Sequence, residues 1–266
     1  MMARSCKLVR NLLPFILAVC AANTAVAREP VYFDGGIREE VPARYRPKFE
    51  KWKAELLATG FGKAQWENYA RNTRFVLTIR VTEDRGKGAG TDKFQWDADG
   101  HLTAATITLG SELAGGVPPP TYYPVLNALS PTVGSPAIRP SVVAAAKLSH
   151  EIGHVEQASR MAVGSLQLES RLVPKYVEIF LHNGLDPNDH RLIELRQQLG
   201  GTPTELWEDR EFNSEVVAMR YISERLAYED ICRVLKKVRE NLDEYGQAFE
   251  ARFDLDKEFA ARSCKE

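Results

Sequence analysis

Hydrophobic positions divide the chain into a mixed first half and a helical second half. From Pro47, Phe49, Trp52, Leu56 and Leu57 recur at a period near 3.6 until Gly60, which predicts a helix. A short second helix is expected from Lys63 to Arg71. The β-branched run from Phe75 to Val81 predicts a strand. Phe94-Gln95-Trp96 and Leu102 to Leu109 flank Asp97-Ala98-Asp99-Gly100, a good hairpin turn, so three antiparallel strands are expected. Residues 28–46 read as an extended leader, since Gly35-Gly36 and the prolines argue against a regular element, and Thr82 to Thr91 reads as a polar loop. Gly110 to Arg139, with Pro118-Pro119-Pro120, is a long irregular segment of the kind that often forms a lid, where Tyr122 and Tyr123 either face a substrate or anchor packing.

From Pro140 the pattern is helical. Pro140-Ser141 opens a helix without a breaker through Leu148. Gly164 marks a break, Pro174 a fresh start running to Asn183-Gly184, Arg191 to Leu199 a short helix, Thr202-Pro203-Thr204 the start of another to about Ala227, and Asp230 to Ala261 a last charged helix.

The helix after Pro140 carries His150-Glu151-Ile152-Gly153-His154, the pattern His-Glu-x-x-His. At i and i+4 both imidazoles leave one helical face a turn apart, where they can share one tetrahedral zinc ion, with Glu151 placed as general base for its water. Leu148, Ile152 and Val155 form an apolar stripe beside them, which an exposed helix with two unconnected histidines would not need. A catalytic zinc needs a third protein ligand. Gln157 and Arg160 occupy the positions of a His-x-x-Gly-x-x-His extension, which excludes it. His182 and His190 stand at or near helix-ending turns. Glu208, Glu211, Glu215, Ala218 and Ile222 share one face of the helix after Thr202, and Glu215, nearest the apolar half with Ala218 for close approach, is favoured over Glu211. Glu169 and Glu178 are weaker alternatives.

These residues resemble the zincin superfamily of metallopeptidases, and within it the gluzincins. The resemblance implies an α+β fold: a mainly helical zincin-like domain with a small antiparallel sheet beside the motif helix. It implies His150, His154 and Glu215 as zinc ligands, the last within Glu215-Val216-Val217-Ala218, and Glu151 as catalytic base for peptide hydrolysis. Thr103 to Leu109 would be the strand that pairs with extended substrate. Two positions depart from the family's pattern: Glu156 stands two places after the second histidine, where an apolar residue is usual, and Met219 follows the Glu-x-x-Ala where one subgroup has aspartate. Tyr221, Tyr228, His182 and the lid tyrosines are candidates for stabilising an oxyanion, and Asp209 or Asn213 for orienting the imidazoles. The alternatives are a zincin-like binding or structural protein of the cell envelope without activity, and a di-iron protein. The second would need another Glu-x-x-His, but the other histidines have Ala98, Ile179 and Pro187 at that spacing.

Composition places this chemistry in a compartment. Arg4, Lys7 and Arg10 precede an apolar run from Asn11 to Val19 and an Ala25-Val26-Ala27 cleavage pattern, which reads as a signal peptide over residues 1–27 and a single domain over 28–266. A lipoprotein anchor at Cys20 fits less well, with valine just before it. A periplasmic or secreted protein is expected, with Cys232 and Cys264 free to pair. The formal net charge of −1 and the lack of a basic tract exclude nucleic acid as an expected partner and leave a peptide or protein substrate. No segment after the signal is long enough to span a membrane.

Overall fold

The computed structural model describes residues 30–115, 123–130, 137–161, 163–184, 186–242, 249 and 252–264. The expected signal peptide, Tyr122 and Pro118-Pro119-Pro120 lie outside these residues. The fold is α+β, as expected, but the sheet is larger than three strands and is mixed. Five strands, β1 (Tyr32–Asp34), β2 (Ile37–Glu40), β3 (Val76–Thr82), β4 (Ala89–Trp96) and β5 (Leu102–Gly110), stand in the order β1-β2-β3-β5-β4. β1 with β2 and β4 with β5 are antiparallel, while β2 with β3 and β3 with β5 are parallel.

The first two strands lie in the supposed leader. Gly35, at φ +57°, makes the turn between them, and a Cβ there would collide with the Ala70 carbonyl. Leu77 N then donates to Gly36 O (2.9 Å), which docks the hairpin on β3. Ile37 is buried, and the buried Glu39 carboxylate is met by Arg46 and by Lys53 Nζ (2.8 Å). β3 forms where a strand was expected and alternates, with Leu77, Ile79 and Val81 inward.

Two helices follow β2, α1 (Arg46–Leu57) and α2 (Gly60–Ala70), the latter capped by the Thr59 hydroxyl, which accepts from Gly62 N. A short α3 (Pro124–Ala128) interrupts the segment expected to be wholly irregular. The motif helix α4 spans Pro140–Arg160 and lies against the sheet and α1. α5 (Val163–His182) runs unbroken past Gly164 and through Pro174, because Leu172 and Tyr176 on either side of the proline bury against Leu192 and Leu195 of α6 (His190–Leu199). α7 (Pro203–Arg225) begins with a capping box: Thr202 Oγ1 accepts from Glu205 N and Thr202 N donates to Glu205 Oε2. Among the described residues the expected last helix is broken, with α8 (Tyr228–Asn241) and a separate α9 (Leu255–Ala261), and Cys232 of α8 is within disulfide-bonding distance of Cys264 (Cα–Cα 5.4 Å). No helix among the described residues is long and apolar enough to cross a membrane.

α4 and α7 pack side by side, and the contact decides where the site forms. Gly153 sits at their closest approach, where a Cβ would come within 3.2 Å of Ser214 Oγ and Val217 Cβ. Gln157 Nε2 donates to Ser214 Oγ (2.9 Å) and to the Arg210 carbonyl (3.1 Å), fixing the rotation of one helix against the other. A small residue that lets the helices meet is therefore the glycine inside the motif; Ala218 of α7 is also fully buried.

A candidate metal centre

His150 and His154 leave α4 on the same face, their ring centroids 4.9 Å apart. Glu211 of α7 reaches both: its Oε2 lies 3.1 Å from His150 Nε2 and 3.5 Å from His154 Nε2. These three residues could hold a metal ion, since each offers a ligand atom and those atoms all lie within 4.8 Å of one another. A tetrahedral ion with bonds of about 2.0–2.1 Å sets neighbouring ligands roughly 3.4 Å apart, so the donor set fits such an ion in chemistry and in spacing.

Glu215, favoured from spacing as the third ligand, stands elsewhere. Its Oε1 lies 3.1 Å from His150 Nδ1, the ring nitrogen turned away from Glu211. The two nitrogens of an imidazole point in different directions, so a carboxylate facing Nδ1 cannot share an ion held by Nε2. Its Oε2 accepts from the amides of Val125 (2.6 Å) and Leu126 (3.1 Å) in the first turn of α3. Glu215 thus lies on the Nδ1 side of the His150 ring, at ion-pair distance but without hydrogen-bond alignment, while Glu211 lies on the Nε2 side. Asp209 and Asn213 do not orient the imidazoles: Asp209 is engaged by Arg252, and Asn213 Nδ2 donates to the Asp209 carbonyl (2.8 Å).

Charge at the centre follows from these contacts. Burial alone would favour a neutral His150, but Glu211 and Glu215 outweigh it and raise the ring to about 10. Burial likewise works against an ionised Glu211, yet His150 and His154 hold its carboxyl down to about 2. For Glu215 burial prevails and the carboxyl is pushed up, against His150 and the two amides.

Glu151 is buried between α4 and the sheet. The Thr91 hydroxyl donates to its carboxylate (2.7 Å), with the Glu151 carbonyl 3.1 Å from the same oxygen. Thr91 belongs to β4, whose one strand neighbour among the described residues is β5, so the strand beside the cleft is β4, and β5, which holds Thr103 to Leu109, is screened behind it. That edge was legible only as a polar glycine-rich loop. A cavity of about 520 Å³ opens between β4, α4 and α7, with His150, Glu151, His154 and Glu211 on its wall.

The remaining candidates separate from this centre. His182 Nδ1 donates to the Glu178 carbonyl (2.7 Å) on exposed α5, and His190 is exposed beside Asp189. Glu169 pairs with Arg210, and Glu178 faces solvent. The Tyr221 hydroxyl donates to Glu55 O (3.3 Å) and that of Tyr228 to Ser263 O (2.7 Å), both away from the cavity. Tyr123 remains on the cavity wall, edge-on to His150 (5.8 Å) and to Trp207 (6.5 Å). Glu156 is buried enough for its carboxyl to be raised, and Gln65 Nε2 donates to it (3.2 Å), which explains an acid on an otherwise apolar stretch. Two residues of the site escaped sequence reasoning, Thr91 and Lys147. Lys147 is the residue one helical turn before Glu151, and that spacing was its only signal. Burial first, then the nearby Lys87 charge, pull its ammonium down to about 8. No family model, curated protein or solved structure matches the chain.

Proposed function

We propose that this protein is an exported zinc-dependent metallopeptidase. The observation that carries the reading is the meeting of His150 Nε2, His154 Nε2 and the Glu211 carboxylate on one wall of a cleft, with Glu151 beside them and an open strand edge opposite. Two imidazoles and one carboxylate suit zinc, and a fourth position would open onto the cavity. Export rests on the signal-like leader and on the Cys232–Cys264 pairing, which an oxidising compartment sustains.

Zinc, when bound, supplies Lewis acidity and makes its water acidic enough to ionise near neutrality. Each nearby residue then has a task. Glu151, steadied by the Thr91 hydroxyl, takes the proton of the attacking water and returns it to the leaving amine. Glu215 holds His150 so that Nε2 faces Glu211. Ala89 and Thr91 on the edge strand hold an extended chain by backbone hydrogen bonds. Tyr123, the remaining aromatic hydroxyl on the wall, is the candidate donor to the oxyanion.

The test is hydrolysis of an unstructured protein such as casein by purified mature protein. Activity should disappear with a chelator, return with zinc, and be absent in Glu151→Gln, a variant that keeps its metal. Casein left intact by zinc-loaded wild type, or cut equally well by Glu151→Gln, contradicts the proposal.

A further inference from the structure

The cleft changes character along its two walls. On α4 it extends from Lys147 through His150 and His154 to Ala158, with Met161 just past the helix, and on β4 from Ala89 to Phe94. Thr91 meets Glu151 near the middle and Lys147 Nζ donates to Lys87 O (2.9 Å) at one end, so the helix and the strand run in the same direction. The end beside the start of β4 is polar, with the Arg85 guanidinium over Gly90. The end beside its finish is apolar, formed by Phe94, Ala158, Met161, Leu166 of α5 and Trp207 of α7. Polar groups at that end are engaged by the protein itself: Gln157 Nε2 donates to Ser214 Oγ and to the Arg210 carbonyl, and the Arg210 guanidinium pairs with Glu169. Trp207 keeps 38% of its surface exposed, so a group entering here has apolar area to cover.

A backbone irregularity aims Phe94 at that end. Thr91 turns its hydroxyl to Glu151, so in a regular strand Lys93 and Gln95 would follow it toward α4 and Phe94 would point away. The pairing with β5 instead steps from Asp92↔Thr106 to Gln95↔Ala104, which is a β-bulge with one extra residue on β4. Lys93 stands in the left-handed region, at φ +54°, which a side chain other than glycine seldom adopts. Past it the alternation is reversed. Lys93 and Gln95 are exposed, Phe94 and Trp96 are half-buried with their rings 6.1 Å apart, and Phe94 lines the cavity. Bulges beside reactive centres re-aim side chains, and here the strained residue puts a phenyl ring into the cleft.

Strand pairing says which part of a substrate reaches this end. A chain laid along the open edge of β4 pairs best antiparallel. With its scissile carbonyl at Glu151, the residues before that bond run toward Phe94. Ala158 follows Glu151 on α4 by about 10 Å of helix, or roughly three residues of extended chain.

Resting on the peptidase reading, we propose that the apolar end of the cleft is a subsite for a large aromatic or aliphatic side chain two or three residues to the N-terminal side of the cleaved bond, formed by Phe94, Met161, Leu166 and Trp207.

Soluble peptides of small polar residues with one phenylalanine, placed at different positions, test this against the same peptide with serine in its place. Zinc-loaded wild type should cut each phenylalanine peptide two or three residues after the phenylalanine, so that the cut, read by mass spectrometry, moves with it. Labelled forms should bind zinc-loaded Glu151→Gln about tenfold or more tighter with phenylalanine than with serine, read by fluorescence anisotropy. When Met161→Ser/Trp207→Ser is added, at two positions that are not fully buried, the ratio should fall to about threefold or less, with retained zinc as the check on folding. If that variant loses its zinc, the wild-type cuts and the binding ratio decide alone. Cuts that ignore the phenylalanine or fall on its N-terminal side, equal binding of the two peptides, or a ratio unchanged by the double substitution each overturn the subsite. Tenfold discrimination in binding without any hydrolysis by wild type would retain the apolar site and remove the peptidase reading.

Discussion

His150 Nδ1 lies 3.1 Å from Glu215 Oε1, while the other oxygen of that carboxylate is held by two amides of α3. The carboxylate thus stands on the interior side of the ring, and Nε2 faces Glu211 on the other. Glu215→Gln should keep the fold and the metal but bind it about 10- to 100-fold more weakly, the usual cost of losing an outer partner of a ligating histidine. Competition with a zinc chelator checks this. A loss of binding as complete as that of a ligand deletion would return Glu215 to the ligand set.

The raised His150 pKa sets a pH dependence for metal binding. Its carboxylate neighbours keep the ring protonated up to about pH 10, and a metal takes only the neutral imidazole. Binding must therefore release a proton, and apparent affinity should climb with pH by about tenfold per unit below that value. Glu211, held down to about 2, is already ionised across this range and adds nothing to the slope. Calorimetry in buffers of different ionisation enthalpy counts the proton; an affinity that does not change between pH 6 and 8 contradicts the assignment.

Gly153 is the point at which α4 and α7 can approach closely enough for Glu211 to reach both histidines. Gly153→Val must push the helices apart or force strained rotamers, at a cost of about 1–3 kcal/mol in unfolding free energy. Metal affinity should fall with it, because the ligands come from both sides of the widened contact. Denaturant titration and chelator competition on the same variant test the pair of effects. A variant of normal stability and affinity would show that the helix spacing is not critical.

The Cys232–Cys264 bridge closes a separation of 32 residues between α8 and the C-terminal segment, well apart from the cavity wall. Its loss in Cys232→Ser/Cys264→Ser should lower stability by about 3–4 kcal/mol on the chain-entropy account. Zinc affinity should not change. Urea unfolding of the oxidised wild type and the double variant measures the first, and the chelator assay the second.

What could be read from sequence was what local spacing determines. His150 and His154 needed only the helical period to share a face, and the capping residues around Thr202 marked where α7 begins. Choosing between Glu211 and Glu215 was a different problem, since both lie on one face a turn apart. The choice depends on Val125 and Leu126, whose amides engage Glu215 from a segment remote in the chain. β1 and β2 escaped for the same reason: strands of three and four residues are held by pairing with β3, not by an alternation long enough to detect. β4 begins Ala89-Gly90-Thr91, small and polar because it is an edge with a guanidinium lying over its glycine, and so resembled a loop. Pro174 suggested a helix start, but burial of Leu172 and Tyr176 against α6 carries the helix through it.

The central claim, that His150, His154 and Glu211 together hold one zinc ion, is tested most directly by the metal content of purified mature protein, wild type against Glu211→Ala. The expected result is about one zinc per chain in wild type and little or none in the variant after dialysis. A wild type that retains no zinc, or an equal zinc content in Glu211→Ala, would contradict it.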